Sequence, residues 1–246
     1  MRLAWFPDLS KRSDQNEIMD VSGVDEKKVY RTLSQFKIIN LLLSRSRKLM
    51  KEILIPHMLE AGGKKLTLLD VGAGGGDIAL WFANLCHSRG IEIKILCLDS
   101  DPKVVEFARK MCHSCENISI MQGSAHDIEA VDEDIDYIFA NHFLHHLNSQ
   151  EIPQFLEKVY RTARRGFLIN DLLRSRPAYL GFTLMAGIFF HKSYHFHDGR
   201  ISIRKGFRFH ELKEVVAQLS FSNCVKFGYR IPARVFLYCL KDTRKL

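Results

Sequence analysis

The chain has 246 residues, 46% of them hydrophobic and 26% charged, with a formal net charge of +8. That length suits one α/β domain with a helical extension and excludes two large independent domains, while the composition excludes a disordered or collagen-like chain. No run reaches the roughly 18 apolar residues of a membrane span, and MRLAWFPDLSKRSDQ lacks a signal-peptide core, so the expectation is a cytoplasmic protein with no membrane span.

Residues 1–60 hold no strand-like run. Leu33, Phe36, Ile39 or Asn40, Leu43, Leu49 and Ile53 recur at helical spacing and predict about two amphipathic helices, a cap or lid ahead of the core. The glycines within Ala61–Lys65 stop them. From residue 61 to 246 short apolar runs alternate with helical segments, the pattern of a parallel sheet with helices on its faces. Strands are predicted at Leu66–Val71, Ile93–Leu98, Ile118–Met121, Ile135–Ala140 and Phe167–Asn170, with helices at Ile78–Cys86, Pro102–Met111 and Gln150–Thr162. Pro102 suits a first helical turn and Ser149 a helix cap. An insertion at about 174–208 reads as an aromatic-rich helix and a polar turn, placed over a pocket. A helix at His210–Leu219 and a hairpin of Cys224–Tyr229 with Arg234–Leu240 close the chain.

Six cysteines sit mostly in apolar contexts and read as reduced thiols rather than a disulfide frame. The single C-x-x-C, Cys112 to Cys115, falls at a helix end without a second half-site. The positive balance favours acidic partners without choosing among nucleic acid, lipid, carrier protein or phosphorylated substrate. The basic clusters Ser44–Lys48, Arg161–Arg165 and Arg200–Arg208 read as solvated surface.

The run LLDVGAGGGD, Leu68 to Asp77, follows an apolar strand and opens an apolar helix, the context in which a glycine pattern becomes a ligand-site expectation. Gly72, Gly74 and Gly76 permit positive φ and let a ligand lie against the backbone. A dinucleotide fingerprint wants a glycine where Asp77 stands, which weakens pyrophosphate binding. Asp99 ends the second strand, where a carboxylate can accept hydrogen bonds from ribose hydroxyls.

Taken in order, LLDVGAGGGD, CLDSDPKVVEFAR, MQGSAHDI and DYIFANHFLHHL resemble the motif series of class I S-adenosylmethionine-dependent methyltransferases, over about Leu66 to Asp171. The resemblance implies a Rossmann-like α/β fold with a seven-stranded, mostly parallel sheet in the order 3-2-1-4-5-7-6, the last strand antiparallel. It implies S-adenosyl-L-methionine as cofactor. Asp70 and Gly72 to Gly76 would line its methionine part, Asp99 and Ser100 its ribose, and Ser124, Ala125, His126 and Asp127 its adenine. Asn141 would face the sulfonium. The family often has an acid where Ser124 stands.

A hydroxyl acceptor needs a base, and His142, His145 and His146 follow the fourth strand. FLHHLNSQE is similar to the stretch that supplies the base in small-molecule O-methyltransferases, where the match falls on His145 and then His146; related wording in carbon-methylating enzymes is partly structural. Metal is not expected, because Asn141 stands where metal-dependent catechol-type enzymes carry an acid. The histidine-rich turn His191 to Asp198 reads as a polar rim. Tyr179, Phe182, Met185, Phe189 and Phe190 fall where the family builds its substrate lid, so the implied acceptor is an oxygen, or a carbon, of a small aromatic or lipophilic molecule, as in quinone-biosynthesis and polyketide-tailoring enzymes. An RNA or protein methyltransferase and a non-catalytic cofactor-binding domain stay open. So does pairing as a homodimer.

Overall fold

A computed structural model of the chain describes residues 7–21, 23–190 and 192–242. Its sheet contains β1 (Leu66–Val71), β2 (Ile93–Asp99), β3 (Ile118–Gln122), β4 (Tyr137–Asn141), β5 (Gly166–Leu172), β6 (Lys226–Arg230) and β7 (Arg234–Leu240). The spatial order is β3-β2-β1-β4-β5-β7-β6, with β7 antiparallel to both neighbours and every other pair parallel. This is the order and polarity that the motif series implies.

The apolar runs make these strands because both faces of a parallel sheet are covered, so a strand such as YIFAN carries no solvent-facing alternation. On one face Leu69, Val71, Ile138, Ala140 and Ile169 pack against α6 (Glu151–Thr162) and α9 (Phe209–Ala217) through Phe155, Leu156, Val159, Leu212 and Val216. On the other, Leu68, Ile95, Tyr137, Phe139 and Leu168 meet Phe82 and Cys86 of α4 (Asp77–Ser88). α5 (Pro102–Cys112) begins at Pro102, as expected, with Asp101 as its cap.

Ahead of the sheet lie α1 (Glu26–Leu42), α2 (Ser46–Leu49) and α3 (Ile55–Glu60), the last two joined through a π-helical turn at Met50–Leu54. Met50, Leu54 and Met58 are buried in the second face of the sheet, so residues 46–60 form part of the core. α1 alone reaches over the carboxyl ends of the strands toward the site.

Five details differ from expectation. Asn148, rather than Ser149, caps α6: its Oδ1 accepts from the Gln150 and Glu151 amides at 2.9 and 3.0 Å, and Glu151 accepts in return from the Asn148 amide at 2.8 Å. The insertion forms two helices, α7 (Arg176–Phe189) and α8 (His195–Lys205), where a helix and a polar turn were expected. His195 and Asp198 are buried rather than a rim, and His191 lies outside the described residues. Arg200 and Lys205 are buried too, so the 200–208 cluster is not solvated surface; Arg200 donates to Tyr179 Oη at 2.9 Å. Finally, Cys224 and Cys239 form a disulfide across the terminal hairpin, which brings their Cα atoms to 5.5 Å. Scattered apolar positions carry no sign of that pairing, because antiparallel return of the chain creates it. Cys86, Cys97, Cys112 and Cys115 are free thiols.

Candidate active site

The turn after β1 is shaped by what its glycines cannot carry. Gly72, Gly74 and Gly76 have φ of 67°, 56° and 76°. A Cβ on Gly72 would lie 2.8 Å from the Phe143 ring, and one on Gly76 2.7 Å from Cys112 Sγ. At Gly74 a Cβ would meet nothing within 4 Å, because this residue borders a cavity of about 290 Å³. The loop is held against β2 by the Gly72 and Ala73 amides, which donate to Leu98 O at 2.8 and 3.2 Å.

Asp70, Gly72, Gly74, Asp99, Ser100, Ala125, Asn141 and His146 border this cavity, while Gly76, Ser124, Asp127 and His145 do not. Gly76 is the packed first residue of the turn into α4; Ser124 Oγ is spent accepting from the His126 amide at 3.1 Å; Asp127 is exposed. Asp99 Oδ2 accepts from the Gly74 amide at 3.0 Å and Oδ1 from the Asp101 amide at 3.2 Å, which fixes its carboxylate at the cavity wall.

The cavity is acidic. Burial raises the pKa of Asp70 well above the carboxylate range, with Asp77 and Asp99 adding repulsion, and burial also raises Asp77 and Asp99. Such a site favours a ligand that brings positive charge and resists a pyrophosphate. A chain of amides closes its floor. Asn40 Nδ2 on α1 donates to Asp77 Oδ1 at 2.9 Å, Asn141 Nδ2 donates to Asn40 Oδ1 at 3.2 Å, and Asn170 Nδ2 donates to Asn141 Oδ1 at 2.7 Å. The first turn of α4, the ends of β4 and β5, and α1 are thereby held together.

The three histidines after β4 occupy unlike environments. His142 has φ of 58°, left-handed backbone that costs energy in a non-glycine residue and clusters at functional sites. It borders the cavity, and burial and the nearby Arg234 push its pKa well below the ordinary histidine value. His145 is turned away. Its Nδ1 lies 2.7 Å from Asp171 Oδ1, its amide donates to Asp171 Oδ2 at 3.0 Å, and its Nε2 faces Glu17 Oε1 at 3.7 Å. Those two carboxylates overcome burial and raise it to about 9, so it is an imidazolium at neutral pH. His146 borders the cavity with Nδ1 3.6 Å from Asp20 Oδ2.

Residues 68–166 match the family model described as "Methyltransferase domain". No curated protein sequence matches the chain. Among solved structures it is similar to a SAM-dependent methyltransferase from Aquifex aeolicus, at 18% identity and TM-score 0.57, covering 88% of this chain and 98% of that one. It is also similar to the plantazolicin methyltransferase BpumL in complex with a triazolic desmethylPZN analog and SAH, at 12% identity and TM-score 0.66, covering 86% and 90%. Magnesium protoporphyrin IX methyltransferase from Synechocystis, with bound SAH, aligns at 12% identity and TM-score 0.51, covering 90% of each chain.

Residues 68–166 are thus similar to a methyltransferase domain, set in a sheet of the order that the motif series implies.

Beside the domain's main cavity lies a narrow chamber of about 60 Å³, which shares Glu17, Met19, Phe36 and His142 with it. Ile39, Leu43, Leu172, Phe182 and Ile203 make its walls apolar, and His195 and Arg234 reach it. The segment ahead of α1 is strapped across this side of the domain. Arg12 donates to the carbonyls of His145, Leu147 and Lys205 at 3.0, 2.9 and 2.8 Å. Asp198 on α8 accepts from the Ile18 and Met19 amides at 2.8 and 3.1 Å. Glu17 accepts from Ser202 Oγ at 2.8 Å, and Lys205 Nζ lies 4.0 Å away. Glu17, His145 and His146 each bring one ligand atom within 4.8 Å of the others. The cations around Glu17 balance its charge and depress its pKa to about 2.

Sequence patterns pass over Glu17, Asn40 and Arg234 as residues of this region. Two of them left a trace. Asn40 interrupts the apolar stripe of α1, and Arg234 is a charge opening an otherwise apolar strand. Glu17 left none.

Proposed function

We propose that this protein transfers a methyl group from S-adenosylmethionine to an oxygen of a small aromatic or lipophilic acceptor. The observation that carries the reading is the acidic cavity behind the glycine turn, with Asp99 fixed at its wall and Gly74 open to it. Its residues fit the cofactor. Asp99 holds two oxygens toward the ribose hydroxyls, with Ser100 beside it. Asp70 and the turn from Gly72 to Gly74 receive the cationic methionine end, and Ala125 covers the adenine. Asn141, anchored by Asn40 and Asn170, presents its amide to the methyl region. The bound cofactor supplies a methyl group already activated by a sulfonium.

What remains for the protein is to align the acceptor and exclude water. The apolar chamber does both, because it adjoins the cavity at His142 and Phe36, which line the two. His145 serves a different role from the base expected of it. As an imidazolium between Asp171 and Glu17 it has no lone pair to offer, and it positions the turn that carries His142 and His146.

Calorimetric titration with S-adenosylmethionine and with its demethylated product S-adenosylhomocysteine tests the reading. Saturable binding of both is expected, with transfer of labelled methyl to members of a phenol and carboxylic-acid panel. Failure of the wild-type protein to bind either would overturn it.

A further inference from the structure

The apolar chamber contains a cation without an anion. Arg234 is 3% exposed; its Nε donates to Leu43 O at 2.9 Å, and its Nη1 donates to His142 Nε2 at 2.9 Å. Among the described residues no carboxylate oxygen lies within 4.0 Å of it, and its Nη2 has no acceptor. Two other inward arginines are held by a carboxylate. Arg165 is paired with Asp136 at 2.8 Å, and the fully enclosed side chain of Arg174 is paired with Glu211. Asp171 acts on Arg234 only from a distance, its own oxygens being committed to His145 and the Leu172 amide. A buried guanidinium that lacks a counter-charge is costly, and its planar fork matches two oxygens of an anion.

The other charged and titratable groups on the chamber confine an anion to the Arg234 end. Glu17 is engaged by Ser202, His145 and Lys205, and Asp198 by the Ile18 and Met19 amides and by His197. His142 and His195 are kept neutral by burial, the latter pushed down to about 4. Phe36, Ile39, Leu43 and Leu172 are among the apolar residues that line the chamber with Arg234.

Building on the methyltransferase reading, we propose that Arg234 anchors an ionised oxygen of the acceptor. The substrate class is an apolar molecule bearing a carboxylate, or a hydroxyl acidic enough to be ionised near neutral pH. An oxyanion needs no base: its lone pair forms the new O–CH₃ bond as the S–CH₃ bond breaks, the electron pair stays on sulfur, and no proton moves. This accounts for a site in which the expected base is locked as a cation and the histidine at the chamber already takes a hydrogen bond from Arg234.

The test is binding, with S-adenosylhomocysteine present, of matched pairs: benzoate against benzamide, cinnamate against cinnamamide, and 4-nitrophenolate against 4-nitroanisole. The wild-type protein is expected to prefer the anion of at least one pair by about tenfold or more. Arg234→Gln should abolish the preference while still binding S-adenosylhomocysteine. Arg234→Lys, which keeps charge and loses the fork, should keep the preference at lower affinity, and it stands in if Arg234→Gln does not fold. Preference confined to the first two pairs assigns a carboxylate acceptor, and to the third an acidic hydroxyl. Equal binding of neutral partners, no anion binding up to about 5 mM, or a preference that survives in Arg234→Gln overturns the inference. A protein that binds S-adenosylhomocysteine but shows no anion preference loses this inference alone; one that binds no S-adenosylhomocysteine loses the methyltransferase reading.

Discussion

The glycine-rich cavity and the apolar chamber meet at His142 but are assembled in opposite ways. The cavity takes most of its wall from the carboxyl ends of β1, β2, β3 and β4, each followed by a short turn, so its residues arrive as compact motifs between Asp70 and Asn141. A parallel sheet forces that arrangement, because every strand delivers its next turn to the same edge. The chamber draws on Glu17, α1, His142, Leu172, α7, α8 and Arg234, segments that touch only once the chain has folded. One site is written locally. The other depends on docking.

The junction between them should be the most sensitive point. Asp171 accepts from the His145 side chain and amide and from the Leu172 amide, at full burial. Asp171→Asn leaves an imidazolium buried beside Glu17 alone, with an expected loss of about 3–5 kcal/mol in urea unfolding. A loss under about 1 kcal/mol would mean that the clamp does not hold the two regions together.

Releasing the strap should cost less and act on both sites. Arg12→Ala removes three hydrogen bonds to carbonyls of the His145 turn and α8, an expected loss of about 1.5–3 kcal/mol. Limited proteolysis ahead of α1 should become faster, and S-adenosylhomocysteine affinity should fall because Glu17, Met19 and Asp20 leave the cavity wall. Unchanged proteolysis would show that the strap is held by Asp198 and Glu17 instead. Asp99→Ala, in contrast, should act on the cavity alone, weakening S-adenosylhomocysteine binding by about 10–100-fold with stability altered by less than about 1 kcal/mol. An equal loss of stability would erase the distinction between a local and a docked site.

This contrast also explains what could be read before folding. The strands and the glycine turn were legible because apolar runs, glycines and the acid ending β2 report local geometry, while the sheet order came only with the resemblance of the motif series. The surroundings of His145 were not legible for a physical reason: neighbouring motif residues place it near the glycine-rich cavity, but the carboxylates that face it are Glu17, 128 positions earlier by residue number, and Asp171. The same applies to His195, Asp198 and Ser202 of α8, whose partners lie in α1 and the strap. Arg234 follows the pattern as well. Its neighbours along the chain describe an edge hairpin, and only the pairing of β7 with β5 carries it inward.

The pH dependence of stability offers the finest test of the junction. The folded state raises His145 from the ordinary 6.5 to about 9, so its stabilising contribution is complete below 6.5 and is lost as pH climbs through 9. Asp171 and Glu17 are depressed, so their contribution is present above the ordinary carboxylate range and is lost only in strong acid. Wild type and His145→Gln should therefore differ most between about pH 5 and 6.5 and converge by about 1–2 kcal/mol as pH rises to 9. Above that, a neutral imidazole and an amide present the same charge to the two carboxylates. Parallel curves across this range would mean that His145 is neutral in the folded protein, which would return it to the list of usable bases.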